Sequence, residues 1–139
     1  MVAPTRELLE KHGIRCTRQR VELYEALAAC KSHPTAEQLH RMVVEHSPGT
    51  SLATVYNTLE TFTQSGLCRR ITSAGPGGAR FDADLSNHMH VVDREGRVMD
   101  VPEHVGQELL SAITPDVVER LERALGVSIE HIDVQVRTR

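Results

Sequence analysis

Nothing in these 139 residues is built for stacking: there is no Trp, and Phe and Tyr occur twice each. Single-stranded nucleic acids are gripped by such rings, as carbohydrates often are, so both binding classes are disfavoured. Cysteine is equally thin. Cys16, Cys30 and Cys68 are odd in number, widely spaced and form no CxxC pair. No disulfide framework is expected, and a reducing cytoplasm is the expected setting. No apolar run approaches the ~18 residues of a membrane span, and no charged-then-apolar signal opens the chain, so no membrane partner is expected. Internal repeats and low-complexity segments are absent as well.

What is present is an ordinary globular composition, 40% hydrophobic and 25% charged. It suits one compact domain or two very small ones. Half of it alone would be marginal, which favours dimerisation. The net charge of −3 conceals an asymmetry: residues 1–82 hold ten Lys/Arg and eight Asp/Glu, residues 83–139 six and eleven. A mildly basic N-terminal half beside an acidic C-terminal half suggests phosphate contact on one side.

The first half patterns as helices. "TRELLEKHG" predicts a helix capped by Thr5 and stopped at Gly13. "TRQRVELYEALAAC" repeats Val21, Leu23, Tyr24, Leu27 and Ala28 as one apolar stripe. "TAEQLHRMVVEH" opens with a Thr35/Gln38 capping box behind Pro34. "SLATVYNTLETFTQSG" follows a turn, with its N-cap at Thr50 or Ser51 and its stop at Gly66. Then the period changes. "LCRRITS" and "ARFDAD" read as short strands joined by "AGPGG". Helices followed by a hairpin make the winged helix-turn-helix plan.

Beyond a linker near residues 82–86, the order is strand "HMHVVD", turn "REG", strand "RVMDVP", a helix in "PEHVGQELLSAI", a helix in "TPDVVERLERALG" and a half-buried strand in "SIEHIDVQVRTR". The second helix has Thr114 as cap, Pro115 at its first position and Gly126 after its end. The predicted fold class is therefore α+β. A winged helix-turn-helix domain over 1–82, the candidate for DNA binding, precedes a small α/β domain over 83–139.

Two groups of residues carry chemistry. In the recognition-helix candidate, 51–65, Ser51, Thr54, Tyr56 and Asn57 lie where a helix entering the major groove meets base edges. Arg15, Arg18 and Arg20, with the wing pair Arg69–Arg70, are placed for phosphates or the minor groove. In "NHMH", His88 and His90 share a strand face, because side chains alternate along a strand. Asp82 and Asp100 are able to return to that face, and His33 lies in the loop "KSHPT". Three imidazoles and two carboxylates suit Fe(II), Mn(II), Co(II) or Zn(II) and suit copper(I) poorly. An enzyme reading competes, since "HMHVVDRE" matches the opening of a cupin metal site with Glu95 as a ligand. A jelly roll needs about eight strands, however, and the first half is helical.

Taken together, "GIRCTRQR" (13–20), "HPTAEQL" (33–39), "SLATVYNTLETFTQSGL" (51–67), "RFD" (80–82), "NHMH" (87–90) and "GRVMD" (96–100) make the chain resemble the ferric uptake regulator family over nearly its whole length. The resemblance implies a metal-dependent, homodimeric DNA-binding repressor and no enzyme, with no small-molecule substrate. It implies one regulatory divalent metal per subunit, Mn(II) or Fe(II) with Zn(II) as an alternative, held by His33, Asp82, His88, His90 and Asp100. Its expected partner is double-stranded DNA with an AT-rich palindromic operator, contacted by Arg15 and Tyr56 among others. Asp82 and Asn57 are similar to the peroxide-responsive branch; iron-, manganese-, zinc- and heme-responsive members are the alternatives. The family commonly carries a four-cysteine structural zinc site, and three cysteines cannot supply one. "DREG" (93–96) stands where the first CxxC would be, and Asn87 and Met89 replace residues that supply an additional metal site in iron-uptake members.

Overall fold

The computed structural model of the chain describes residues 2–72, 78–85, 89–130 and 132–139, with side chains from residue 4 onward. The chain divides into two compact units, Met1–Ser86 and Asn87–Arg139.

The first unit opens with four helices: α1 (Val2–Lys11), α2 (Arg18–Ala29), α3 (Ala36–Val44) and α4 (Leu52–Gln64). Helix α1 begins earlier than the sequence suggests. Pro4 sits in its first turn, where the missing N–H has no intrahelical partner to lose. Thr5 is thus inside the helix, and its Oγ1 donates to Glu25 Oε1 on α2 at 3.0 Å instead of capping. The other starts follow local chemistry. Thr17 accepts from the Arg20 amide, and Thr35 and Gln38 form the expected reciprocal capping box. Of the two cap candidates for α4 it is Ser51, accepting from the Thr54 amide at 3.1 Å, that closes the end. Each such cap is worth about 1 kcal/mol. Gly66 then takes the left-handed backbone (φ 78°) that ends α4.

Between the helices lies one dry cluster including Leu9, Leu23, Leu27, Leu39, Val55, Leu59, Phe62 and Leu67. Tyr24 meets Phe62 edge-on, with ring centroids 5.8 Å apart. An antiparallel hairpin follows, β1 (Arg69–Ile71) and β2 (Arg80–Asp82), in the register Arg69↔Asp82, Arg70↔Phe81, Ile71↔Arg80. Residues 74–77 of the expected "AGPGG" turn lie outside the described residues. Helices α3 and α4 with this hairpin form a winged helix-turn-helix.

The second unit is a three-stranded sheet in the order β4-β3-β5, with two helices inserted before its last strand. Strands β3 (His90–Val92) and β4 (Val98–Asp100) are antiparallel, and β3 and β5 (Gln135–Arg137) are parallel. The "REG" turn is closed by Asp93 Oδ1, which accepts from the amides of Glu95 and Arg97 at 2.9 Å each. Helix α5 (Glu103–Ser111) precedes α6 (Pro115–Leu125), whose Thr114 cap, N-terminal Pro115 and left-handed Gly126 (φ 67°) stand as expected. The apolar stripe that Val118, Leu121 and Leu125 make along α6 stays largely open, with Val118 half-buried. The helix contributes no buried residue, and Leu121 and Leu125 are exposed. The last strand is also shorter than the sequence predicts. Among the described residues the strand pairing covers 135–137, with the Thr138 amide donating to the Val92 carbonyl at 3.1 Å, and Ile132 and Val136 of the half-buried strand expected there are exposed. The overall class is α+β, a winged helix-turn-helix followed by a small α/β unit. Among the described residues no helix is long and apolar enough to cross a membrane.

Candidate metal centre and nucleic-acid interface

His33 lies in the loop between α2 and α3, and Asp82 ends β2. The hairpin brings them together: an isolated antiparallel bridge links Thr35 to Arg80, and the Phe81 amide donates to the Pro34 carbonyl at 3.0 Å. Both side chains are buried, with His33 Nδ1 3.5 Å from Asp82 Oδ1. In the second unit, His90 and Asp100 are cross-strand neighbours, and His90 Nε2 lies 3.5 Å from Asp100 Oδ1. His90 is buried and Asp100 exposed. His88 lies outside the described residues, as does His131.

Each pair is an imidazole nitrogen beside a carboxylate oxygen, at a separation beyond the usual 2.7–3.2 Å of a hydrogen bond. Two ligand atoms, each ~2.1 Å from one ion, stand about 3.0–3.4 Å apart. The spacing and the donor chemistry both fit a borderline-to-hard divalent cation. Other histidines are otherwise engaged or exposed. His12 Nδ1 meets the Leu8 carbonyl at 2.9 Å, His40 Nε2 meets the Thr50 carbonyl at 2.8 Å, and His46 and His104 face solvent. The cupin alternative fails on the fold. The described strands have three residues each, in sheets of two and three, and Glu95 sits in a surface turn with Arg97 Nη2 at 2.6 Å. The three cysteines are free, and only Cys68 is fully buried. Burial pushes its thiol pKa up, with the nearby Asp82 charge adding to the rise.

On the helical face, four of the seven residues expected at DNA converge. Arg15, Arg20, Thr54 and Asn57 line one cleft of about 310 Å³ with Thr17, Gln19, Thr58 and Thr61. Arg20 Nη1 donates to the Arg15 carbonyl at 3.0 Å, which joins the loop before α2 to that helix. Arg18 and Ser51 stand outside this cleft. Arg18 pairs with Glu22 at 2.7 Å, and Ser51 spends its hydroxyl on the cap of α4. Tyr56 is exposed on a second, wider cleft of about 1040 Å³, and its hydroxyl donates to the Glu37 carboxylate on α3. That bond lowers the Glu37 pKa and raises the Tyr56 pKa. Glu37 escaped the sequence reading; its position in the first turn of α3 was visible, but its reach to α4 depends on how the two helices pack. Of the wing arginines, Arg69 donates to the Leu85 carbonyl and Arg70 is exposed.

Residues 11–136 match the model of the ferric uptake regulator family. The chain belongs to that family. Among its relatives, the peroxide operon regulator of Bacillus subtilis (strain 168) is 37% identical over 95 residues, which are 68% of this chain and 65% of that protein. The peroxide-responsive repressor PerR of Staphylococcus epidermidis is 34% identical over 93 residues, 66% of this chain and 61% of the relative. The match therefore spans less than two thirds of these curated relatives. Among solved structures of the family, the Pseudomonas aeruginosa ferric uptake regulator with manganese superposes with a TM-score of 0.72 at 26% identity, covering 97% of this chain and 96% of that one. The Campylobacter jejuni peroxide stress regulator gives 0.68 at 26% identity, covering 95% and 93%.

Proposed function

We propose that this ferric uptake regulator family member is a dimeric DNA-binding transcriptional repressor that responds to peroxide through one bound Fe(II) or Mn(II) per subunit. Residues 1–82 serve as its DNA-binding domain and 83–139 as its dimerisation and metal-sensing domain. The observation that carries the reading is the buried His33–Asp82 pair, matched by His90–Asp100 at the same spacing. In this reading the two pairs, joined by His88, hold a single ion, and Zn(II) is the alternative occupant. Holding it ties the first unit to the second and fixes the two α4 helices of a dimer at the spacing of a two-fold operator. The cleft arginines, Arg15 and Arg20, meet backbone phosphates or the minor groove, while Thr54, Tyr56 and Asn57 face base edges of an AT-rich palindrome. Arg18 and Ser51 flank that contact. The exposed apolar residues of α6 and the last strand supply the dimer surface.

Were Fe(II) bound, His33, Asp82, His88, His90 and Asp100 would hold it, and it would supply a centre for peroxide reduction. The His33 or His90 imidazole would then be the group oxidised, its ring gaining one oxygen from peroxide while the other leaves as water, and a ring so altered would hold the ion less well and release DNA. The relatives named for peroxide favour this branch. The structure solved with manganese from a ferric uptake regulator favours a second reading, an iron- or manganese-responsive regulator without the oxidative step.

The test is a gel shift on an AT-rich palindromic duplex with and without Mn(II). Wild type should bind tenfold to hundredfold more tightly with metal, about 1.4–2.8 kcal/mol of coupling. His90→Ala should remove that gain. If metal and the substitution both leave affinity unchanged, the sensor reading is wrong. Mass mapping after Fe(II) and peroxide separates the two branches: histidine peptides that gain no oxygen leave the second.

A further inference from the structure

The sequence motif "RFD" contributes Asp82 to the metal reading and leaves its arginine unexplained. Arg80 is buried, an expensive place for a guanidinium unless its donors are used. Its Nη1 donates to the His33 carbonyl at 3.0 Å and to Gln38 Oε1 at 3.3 Å. Gln38 is the residue whose side chain closes the capping box of α3 on the Thr35 amide. One buried cation thus ties the backbone of a metal-ligand candidate to the first turn of the helix that packs under α4.

His33 needs such a hold. It is the one non-glycine residue with positive φ (53°) among the described residues, and it precedes Pro34, a position that favours extended backbone. A conformation disfavoured twice over persists only when its surroundings over-determine it. Here β2 does so with three contacts from consecutive residues. Arg80 takes the His33 carbonyl, the Arg80–Thr35 bridge fixes the next turn, and Phe81 donates to Pro34. The strand that carries Asp82 is the same strand that sets where the His33 ring points.

We propose that Arg80 is a positioning residue for the metal site, holding His33 in its left-handed conformation so that Nδ1 faces Asp82, and anchoring that loop to the first turn of α3 through Gln38. This rests on the metal reading above. Arg80 is not itself a ligand in this proposal; its effect on the metal is exerted through His33. Both bonds leave from Nη1, which the rigid guanidinium plane holds in place, whereas a lysine ammonium is a mobile point charge on a flexible stem.

A double-mutant cycle on the full chain tests it, using Mn(II) affinity by titration calorimetry and the thermal midpoint of the metal-free protein. Arg80→Lys and Arg80→Met are each measured with His33 and with His33→Ala. Removing a group that orients a ligand typically weakens metal binding ten- to hundredfold. That loss is expected for Arg80→Met, a smaller one for Arg80→Lys, and neither in the His33→Ala background, because the ligand being positioned has gone. A purely structural arginine would instead weaken binding equally in both backgrounds, and that result overturns the proposal. So does unaltered Mn(II) affinity in both arginine variants. If Arg80→Met does not fold, Arg80→Lys carries the same cycle. Wild type that takes up no Mn(II), or His33→Ala that binds as wild type does, removes the metal reading itself and this inference with it.

Discussion

The two units use apolar residues in opposite ways. The first turns them inward: Leu9, Leu39 and Phe62 are fully buried, and every helix start from α2 to α4 is closed by its own side-chain cap. The second leaves them out. Its buried set is Met89, Val92, Val98 and Val101, while Leu109, Leu121, Leu125 and Val136 face solvent. Helix α6 has an apolar stripe as regular as any in the first unit, yet it buries no residue: Val118 is half-buried, and Leu121 and Leu125 are exposed. The lesson is that equally good helical patterning does not predict burial within one chain. It predicts burial against something, and for the second unit we propose a second copy.

The comparison breaks first where packing is tightest. Phe62→Ala removes the largest fully buried side chain of the first unit and should cost about 3–5 kcal/mol, read as a lower urea midpoint. A cost below about 1 kcal/mol would mean the core is not closed. Next, Leu121→Lys places a charge on the exposed stripe of α6. Sedimentation velocity should show self-association weakened by about 2 kcal/mol or more, roughly thirtyfold. An unchanged dimer would move the interface elsewhere. A smaller effect is expected from Ser51→Ala, about 1 kcal/mol of stability from the lost cap of α4. Smallest in energy is a chemical probe. Burial holds the Cys68 thiol pKa up, so its thiolate is scarce at neutral pH and grows only as pH rises above the usual cysteine range. Thiol-reagent kinetics with mass mapping should label half-buried Cys16 and Cys30 first. Labelling of Cys68 at an equal rate near pH 7 would show that the first unit opens readily.

Much of this was legible in the residues because it is local. The Thr35/Gln38 box, the Gly66 stop and the Thr114–Pro115 start each depend on side chains within a turn of one another. Where neighbours in space decide, the reading slipped. Thr5 has the chemistry of a cap, but Pro4 is tolerated in the first turn of a helix, so α1 starts ahead of it and Thr5 hydrogen-bonds across to Glu25 instead. The strand over "SIEHIDVQVRTR" alternates correctly, yet β3 offers it a partner only at 135–137. At the candidate site the ligand types were readable and the support was not. Nothing in "RFD" says that its arginine reaches 47 residues back to the carbonyl of His33, since only the hairpin register puts them together.

The cysteine inventory has a consequence for how such a protein would be handled. Where thiolates hold a zinc, much of the folding energy is metal-binding energy, and a chelator unfolds the chain along with emptying it. Here no four-thiolate cage can assemble from one set of 139 residues, and the first unit has an apolar core of its own. Treatment with EDTA should therefore yield an intact apoprotein in which Mn(II) titrations start from a folded baseline. Occupancy and integrity become separately measurable, so a lost signal on chelation would report an emptied regulatory site and not a melted fold.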